Sequence, residues 1–200
     1  MKHFIFDMGG VLVKPIPHEL VENEISYVKC DTPEFKKYFW DTFYEFEKGT
    51  IDTNRFVEIF KNNFNKKGLT TVEYENNYYE IGKKYGGVFE NAYEVLKNLK
   101  ENGCKVYLLS NLHEVSFKDF SSIFDVSIFD KLFLSYKIGL IKPDNNIYKY
   151  VINEINDDPR EMCFFDDKIE NVEAAISNGM NSFQTTGDIL EKNVKKAFEL

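Results

Sequence analysis

Four short stretches of this chain carry side chains that could do chemistry together. Phe6-Asp7-Met8-Gly9-Gly10-Val11-Leu12 sets a carboxylate just ahead of two glycines. Glycine lets backbone amides approach an anion closely, so such a turn can hold a metal or meet a phosphate. Leu109-Ser110-Asn111 offers a hydroxyl and an amide, both able to bind phosphate oxygens. In Ile141-Lys142-Pro143-Asp144, Lys142 is a compact positive charge that can balance an anion. Phe164-Phe165-Asp166-Asp167 ends an apolar run in two adjacent carboxylates, which repel one another and lose solvation. A hard cation such as Mg2+ offsets both costs, since it favours one or two carboxylates plus water and substrate phosphate.

Each stretch also has a plainer reading. An Asp before glycines commonly opens a turn, Ser-Asn commonly caps the next helix, and a lysine is usually solvated. What favours chemistry is the placement of all four directly after predicted strands, because open α/β sheets build their sites at strand C-terminal ends. The strands are read at 2–6, 105–109, 131–134, 162–165 and 181–185. The first, second and fourth are apolar runs without alternation, as strands covered on both faces should be. Between them, Ala92, Val95, Leu96 and Leu99 recur at helical spacing, as do Ile147, Val151 and Ile155, and Val172, Ala175 and Ile176. Gly103 and Gly179 follow two of these stripes as stop signals. The alternation predicts an α/β fold with a mostly parallel sheet.

Residues 14–88 break that alternation. Thr32 or Asp31 is placed to cap a helix with Pro33 in its first turn and Phe35, Phe39, Phe43 and Phe46 on one face. Gly49 stops it, Asp52 starts another with Phe56, Phe60 and Phe64 in line, and a third helix is expected over 71–84. Fifteen of the 32 aromatics fall here, which suits a helical bundle with its own core. The predicted organisation is a core of 1–13 and 89–200 interrupted by a helical insertion at 14–88.

The chain has 200 residues, 43% hydrophobic and 29% charged, a globular composition. With 33 acidic against 25 basic residues its net charge is −8, which argues against nucleic-acid and anionic-membrane partners. Cys30, Cys104 and Cys163 have no metal-site spacing and read as reduced thiols. The N-terminal apolar stretch is interrupted by Asp7 and no small-residue cleavage site follows, so a cytoplasmic protein is expected.

As an ordered set, the motifs resemble the haloacid dehalogenase-like (HAD) hydrolase superfamily, over nearly the whole chain. Asp7-Met8-Gly9-Gly10-Val11-Leu12 matches its first motif, Ser110-Asn111 its second, Lys142-Pro143 its third, and Asp166-Asp167 with Asn171 its fourth. The insertion resembles the family's C1 cap, and Gly49-Thr50-Ile51-Asp52 with Phe56 is similar to a cap sequence common there. Leu134-Ser135-Tyr136-Lys137-Ile138-Gly139-Leu140-Ile141-Lys142-Pro143 is similar to the small sugar-phosphate phosphatase branch, typified by α-D-glucose-1-phosphate phosphatase.

The resemblance implies a Rossmann-like α/β core, with Asp7 attacking phosphorus to give an aspartyl-phosphate that water hydrolyses. It implies Mg2+ held by Asp7, the Gly9 carbonyl and Asp167, with Asp166 behind them. Ser110, Asn111 and amides near Gly9 and Gly10 would bind phosphate, and Lys142 would balance charge; His113 borders the pocket without an assigned role. The implied partner is a small, sugar-like phosphorylated metabolite, met by a monomer or homodimer.

One position departs from the pattern. Most family phosphatases carry a second Asp two residues after the nucleophile as general acid and base; here Gly9 stands there. Three readings stay open: a water, a substrate hydroxyl or a cap residue replaces it; the enzyme is slow or restricted to good leaving groups; or the aspartyl-phosphate persists, for phosphoryl transfer or regulation. Two alternatives follow: a metal-independent 2-haloacid dehalogenase, against which the Asp166-Asp167 pair argues, and a catalytically silent HAD-fold regulatory or binding module.

Overall fold

Five strands form one parallel sheet in the order β3-β2-β1-β4-β5 in the computed structural model, which describes residues 2–17, 20–21, 32–63 and 69–199. They are β1 (His3–Phe6), β2 (Lys105–Ser110), β3 (Lys131–Leu134), β4 (Met162–Asp166) and β5 (Asn181–Gln184). β1 lies at the centre, with Phe6 opposite Leu108 on one side and Phe165 on the other. The chain adds β2 and β3 to one edge of β1 and then crosses to β4. The order therefore reverses between β1 and β4, where open α/β sheets leave a crevice.

Side chains alternate across this sheet and so build two cores. On one face Phe4, Phe6, Leu108 and Phe165 pack against α4 (Ala92–Glu101) and α9 (Leu190–Phe198). On the other, Ile5, Leu109 and Phe164 meet α7 (Asn145–Ile155) and α8 (Ile169–Ser177). Burial on both faces is why these strands read as unbroken apolar runs. Cys104 and Cys163 are free and buried; Cys30, Asp31 and Phe64 lie outside the described residues.

Among the described residues, three helices are delimited between β1 and α4: α1 (Pro33–Glu47), α2 (Thr53–Asn63) and α3 (Thr71–Tyr85). Thr32 caps α1, its hydroxyl accepting from Phe35 N at 3.2 Å. Phe35, Phe39, Phe43, Phe46, Phe56, Phe60 and Tyr74 form their shared aromatic core. The chain leaves and re-enters the sheet region at one place: Lys14 N donates to Gly87 O at 2.8 Å, and Phe89 N to Leu12 O at 3.0 Å. Gly49, just past α1, has φ +76° and lies so close to the Tyr136 carbonyl that a Cβ would sit 2.1 Å from its oxygen. Only glycine serves there.

Two helices lay outside the expected pattern: α9, and α5 (Glu114–Ile123), which follows β2. Ser110 and Asn111 do not cap α5. His113 does, its Nδ1 accepting from Ser116 N at 3.3 Å. Histidine is not a usual N-cap residue, so the spacing gave no warning. A one-turn helix, α6 (Ser135–Ile138), follows β3. No described helix is long and apolar enough to cross a membrane.

Candidate active site

The tips of β1, β2 and β4, with the loop entering α7, bring the chemical residues together. Asp7 follows β1, and its N–H donates to Phe165 O at 2.9 Å, which pins the turn to β4. Lys142 reaches in from the loop before α7 and is fully buried. Its Nζ donates to Leu109 O at 3.0 Å and Asp166 Oδ2 at 2.6 Å, and lies 2.9 Å from Asp7 Oδ1. Ser110, the last residue of the neighbouring strand β2, pulls the Asp7 carboxyl pKa down.

Burial pushes the Asp7 carboxyl up to about 6, against the pull of Lys142 and with a further rise from Asp166. Burial works against the Lys142 ammonium, yet Asp166 and Asp7 outweigh it and hold its pKa above the ordinary value. The lysine is thus a permanent cation between two acids.

The adjacent carboxylates have different surroundings. Asp166 is the last residue of β4 and completely buried. Its Oδ1 accepts from Lys168 N and Asn171 Nδ2, both at 2.9 Å, while Oδ2 accepts from Lys142. Asp167 is partly exposed and lies over Gly10, where a Cβ would meet its Oδ2 at 2.5 Å. Gly10 also has φ +78°, so two constraints exclude a side chain there. Carboxylate oxygens of Asp7, Asp166 and Asp167 all lie within 4.8 Å of one another. Three acids against one lysine leave surplus negative charge, a donor set that suits a hard divalent cation.

Two expected phosphate binders are engaged elsewhere. Asn111 has both polar ends of its amide on the Lys142 backbone: Nδ2 donates to Lys142 O and Oδ1 accepts from Lys142 N, each at 2.8 Å. It positions the lysine. Gly10 donates its amide to Val13 O at 2.8 Å, while the Gly9 amide has no such acceptor among the described residues. The local turn, which folds Val13 back beside Gly9, captured that donor.

These residues open onto a cavity of about 500 Å³ whose far wall comes from the helices after β1, including Trp40, Phe43, Glu47 and Tyr78. Glu47 was missed although it continues the row Phe35-Phe39-Phe43 one turn further along α1, because a charged residue at a helix end reads as solvated. Burial pushes its carboxyl up to about 7; Lys168 and Lys142 pull against this, and Asp7 adds to it. Ser135 was also missed. Its Oγ accepts from Leu112 N at 2.9 Å and donates to Glu47 O at 2.6 Å, tying the β2–α5 loop to the end of α1.

His113 stacks on Phe46 at 4.2 Å between ring centroids and meets Tyr78 edge-on. Because Nδ1 accepts from Ser116, the ring proton is on Nε2, which has no hydrogen-bond partner among the described residues. Burial alone drives the imidazole down to about 3. The unfolded chain takes up this proton near 6.5 and the folded chain near 3, so the stability present above 6.5 drains away as pH falls. Integrated over that window the loss is roughly 4 kcal/mol. In urea titrations, wild type should lose more stability between pH 7 and 4 than His113→Asn, which keeps a capping acceptor. Equal losses would contradict the buried neutral imidazole.

A strand-tip carboxylate, a buried lysine and an acidic cluster meet at the switch point of a parallel sheet, where doubly wound α/β proteins place their sites. The chain belongs to the haloacid dehalogenase-like hydrolases: the model for that family matches residues 1–179. It is similar to a sesquiterpene phosphatase of Aspergillus oryzae, 29% identical over 191 residues that cover 94% of this chain and 91% of the relative. It is also similar to a D-ribitol-5-phosphate phosphatase of Bacteroides thetaiotaomicron, 26% identical over 199 residues covering 92% and 91%. Among solved structures, an HAD-family enzyme from Bacteroides thetaiotaomicron in complex with magnesium and inorganic phosphate aligns with TM-score 0.79 and 24% identity, covering 94% of this chain and 95% of that one. A predicted HAD-like hydrolase from Porphyromonas gingivalis aligns at 0.80 and 18%, covering 98% and 97%. These two structures show the shared fold.

Proposed function

We propose that this hydrolase is a Mg2+-dependent phosphomonoesterase working through an aspartyl-phosphate on Asp7. The observation that carries the reading is the Asp7 carboxylate, held by Lys142 and Ser110 beside Asp167 at the mouth of the cavity. Two full-length relatives named as phosphatases support it.

Asp7 and Asp167, with the Gly9 carbonyl, would hold the cation; the hydrogen bonds already on Asp166 suit it to hold Lys142 and the α8 entry instead. The cation, when bound, neutralises the repulsion between an anionic nucleophile and an anionic phosphate. Asp7 displaces the leaving group from phosphorus, and water then cleaves the acyl phosphate. Ser110 and the Gly9 amide would bind phosphoryl oxygens, and Lys142 offsets the charge gathered around Asp7. Residues 14–88 act as a cap that closes the cavity and selects the leaving group.

A small, sugar-like leaving group suits the cavity's size and agrees with the relative named for D-ribitol 5-phosphate. The wall favours a second reading. Ile16, Val21, Trp40, Phe43 and Ile123 line it, and an apolar alcohol would bury against them, as the sesquiterpene phosphatase relative suggests. The test is hydrolysis of an aryl phosphate, a sugar phosphate and a prenyl phosphate, with Mg2+ and with chelator. Turnover should need the cation and return when it is restored. Chelator-resistant turnover, or none with Mg2+, would overturn the reading. The ratio of sugar to prenyl phosphate rates chooses between leaving groups.

A further inference from the structure

Gly9 has no proton to give, and a Cβ placed there would meet no atom within 4 Å. The space beside the nucleophile is therefore filled by no side chain of the sheet core. A carboxyl from elsewhere must reach it if the reaction is to protonate a poor leaving group. Among the described residues, three acids besides Asp7 and Asp167 line the cavity: Glu47, Asp119 and Glu170. Glu170 is exposed in the first turn of α8. Asp119 lies against Gly82 of α3, where a Cβ would stand 2.5 Å from its Oδ2.

Glu47 differs from both. It ends α1, and the backbone around it is fixed to the sheet core. Ser135 Oγ donates to its carbonyl at 2.6 Å, and two residues later Gly49 abuts the Tyr136 carbonyl. Its carboxyl makes no hydrogen bond or ion pair among the described residues. The charges that act on it are Lys168 and Lys142 and the Asp7 carboxylate, and its own charge is felt by Tyr74 and Tyr78 of α3. A half-buried carboxyl on the cavity wall, unpaired among the described residues and anchored through its own main chain, is placed to engage a substrate.

We propose that Glu47 is the general acid and base of this enzyme, supplying from α1 the proton transfer that Gly9 cannot. The assignment rests on the phosphomonoesterase reading above. In the first step an Asp7 oxygen bonds to phosphorus while the bond from phosphorus to the leaving oxygen breaks. Glu47, protonated, gives its proton to that oxygen, so an alcohol departs and Glu47 is left as carboxylate. In the second step a water oxygen bonds to phosphorus and the bond from phosphorus to the Asp7 oxygen breaks. Glu47 takes the water's proton, Asp7 regains its charge, and inorganic phosphate leaves with the enzyme restored.

The test compares wild type with Glu47→Gln on two substrates in Mg2+, an alkyl phosphate such as a sugar or prenyl phosphate and a p-nitrophenyl-type aryl phosphate. It is read as kcat/KM, which reports the step in which the leaving group departs. An alkyl leaving oxygen needs the proton and an activated aryl oxygen does not. The alkyl phosphate should lose about 10²–10⁴-fold and the aryl phosphate less than about tenfold. Glu47→Asp, which keeps a shorter carboxyl, should lose less than Glu47→Gln on the alkyl substrate alone; it serves as the test if the glutamine variant melts early. Equal losses on both substrates, or no loss on either, would overturn the assignment and leave the phosphatase reading intact. Wild-type inactivity on every phosphate would overturn that reading, and the assignment with it.

Discussion

Asp7→Asn should abolish turnover and leave the protein at least as stable as before. The amide keeps the size and the hydrogen bond of the side chain but cannot form the acyl phosphate. Removing a nucleophile from a site whose parts act together costs on the order of 10⁴-fold or more in kcat. The stability half follows from the sign of the pKa shift. Burial raises the folded carboxyl to about 6 from an ordinary 3.8, so the folded state holds this proton more tightly than the unfolded chain. The benefit is complete below about 4 and is lost as pH rises through 6, which leaves the ionised Asp7 as a burden at neutral pH. Its ceiling is on the order of 3 kcal/mol. A neutral Asn removes the burden, while Lys142 keeps Asp166 as a partner. A melting temperature at pH 7.5 equal to or above wild type, together with lost activity, is the expected pair of results. A marked fall in melting temperature would show that Asp7 supports the fold more than it strains it.

Lys142→Met should do the reverse and unsettle the fold itself. The lysine is the shared cation of Asp7 and Asp166, and its side chain is as buried as theirs. Truncating one member of a buried charge cluster leaves the others uncompensated and costs about 3–5 kcal/mol. For a chain of this size that lowers the melting temperature by roughly 6–20 °C. The deficit should shrink at pH 5 relative to pH 8, because a protonated Asp7 no longer needs the cation. Thermal melts at the two pH values read this directly, and a deficit that stayed constant would count against Lys142 as the counter-charge. Activity should fall with it even where the variant is folded.

How far the sequence foretold these features depends on how local each is. The strands were legible because burial on both faces demands apolar residues without interruption, as in Val106–Leu109 and Cys163–Phe165. The gathering of Asp7, Ser110, Lys142 and Asp166 was legible because each follows a strand that the pattern located. The contrast between Asp166 and Asp167 became visible once β4 was seen to run to Asp166, which buries one carboxylate and leaves its neighbour at the rim. What failed was whatever depends on two distant segments meeting. Asn111 reads as a phosphate ligand until the Lys142 loop lies beside it and takes both ends of its amide. Glu47 reads as an ordinary polar residue at a helix end, and its burial arises only when α1 docks near Ser135 and Tyr136. His113 is an N-cap of a kind that propensity does not flag, and the aromatic packing that keeps it neutral comes from two separate helices, α1 and α3.

The central position of β1 bears on how the chain assembles during synthesis. His3 pairs with Lys105 and with Met162, so β1 is made long before either neighbour exists. Its four residues are buried in the finished sheet, and the apolar Phe4, Ile5 and Phe6 must wait exposed while the helices are made. α1–α3 can gather their aromatic core in that interval, since their contacts are close in sequence. The sheet cannot close until β4 has emerged, and such long-range closure is slow. A ribosome-bound chain stopped before residue 162 would therefore hold a folded helical segment beside an open, sticky strand. That is the stage at which its apolar strand is most open to aggregation.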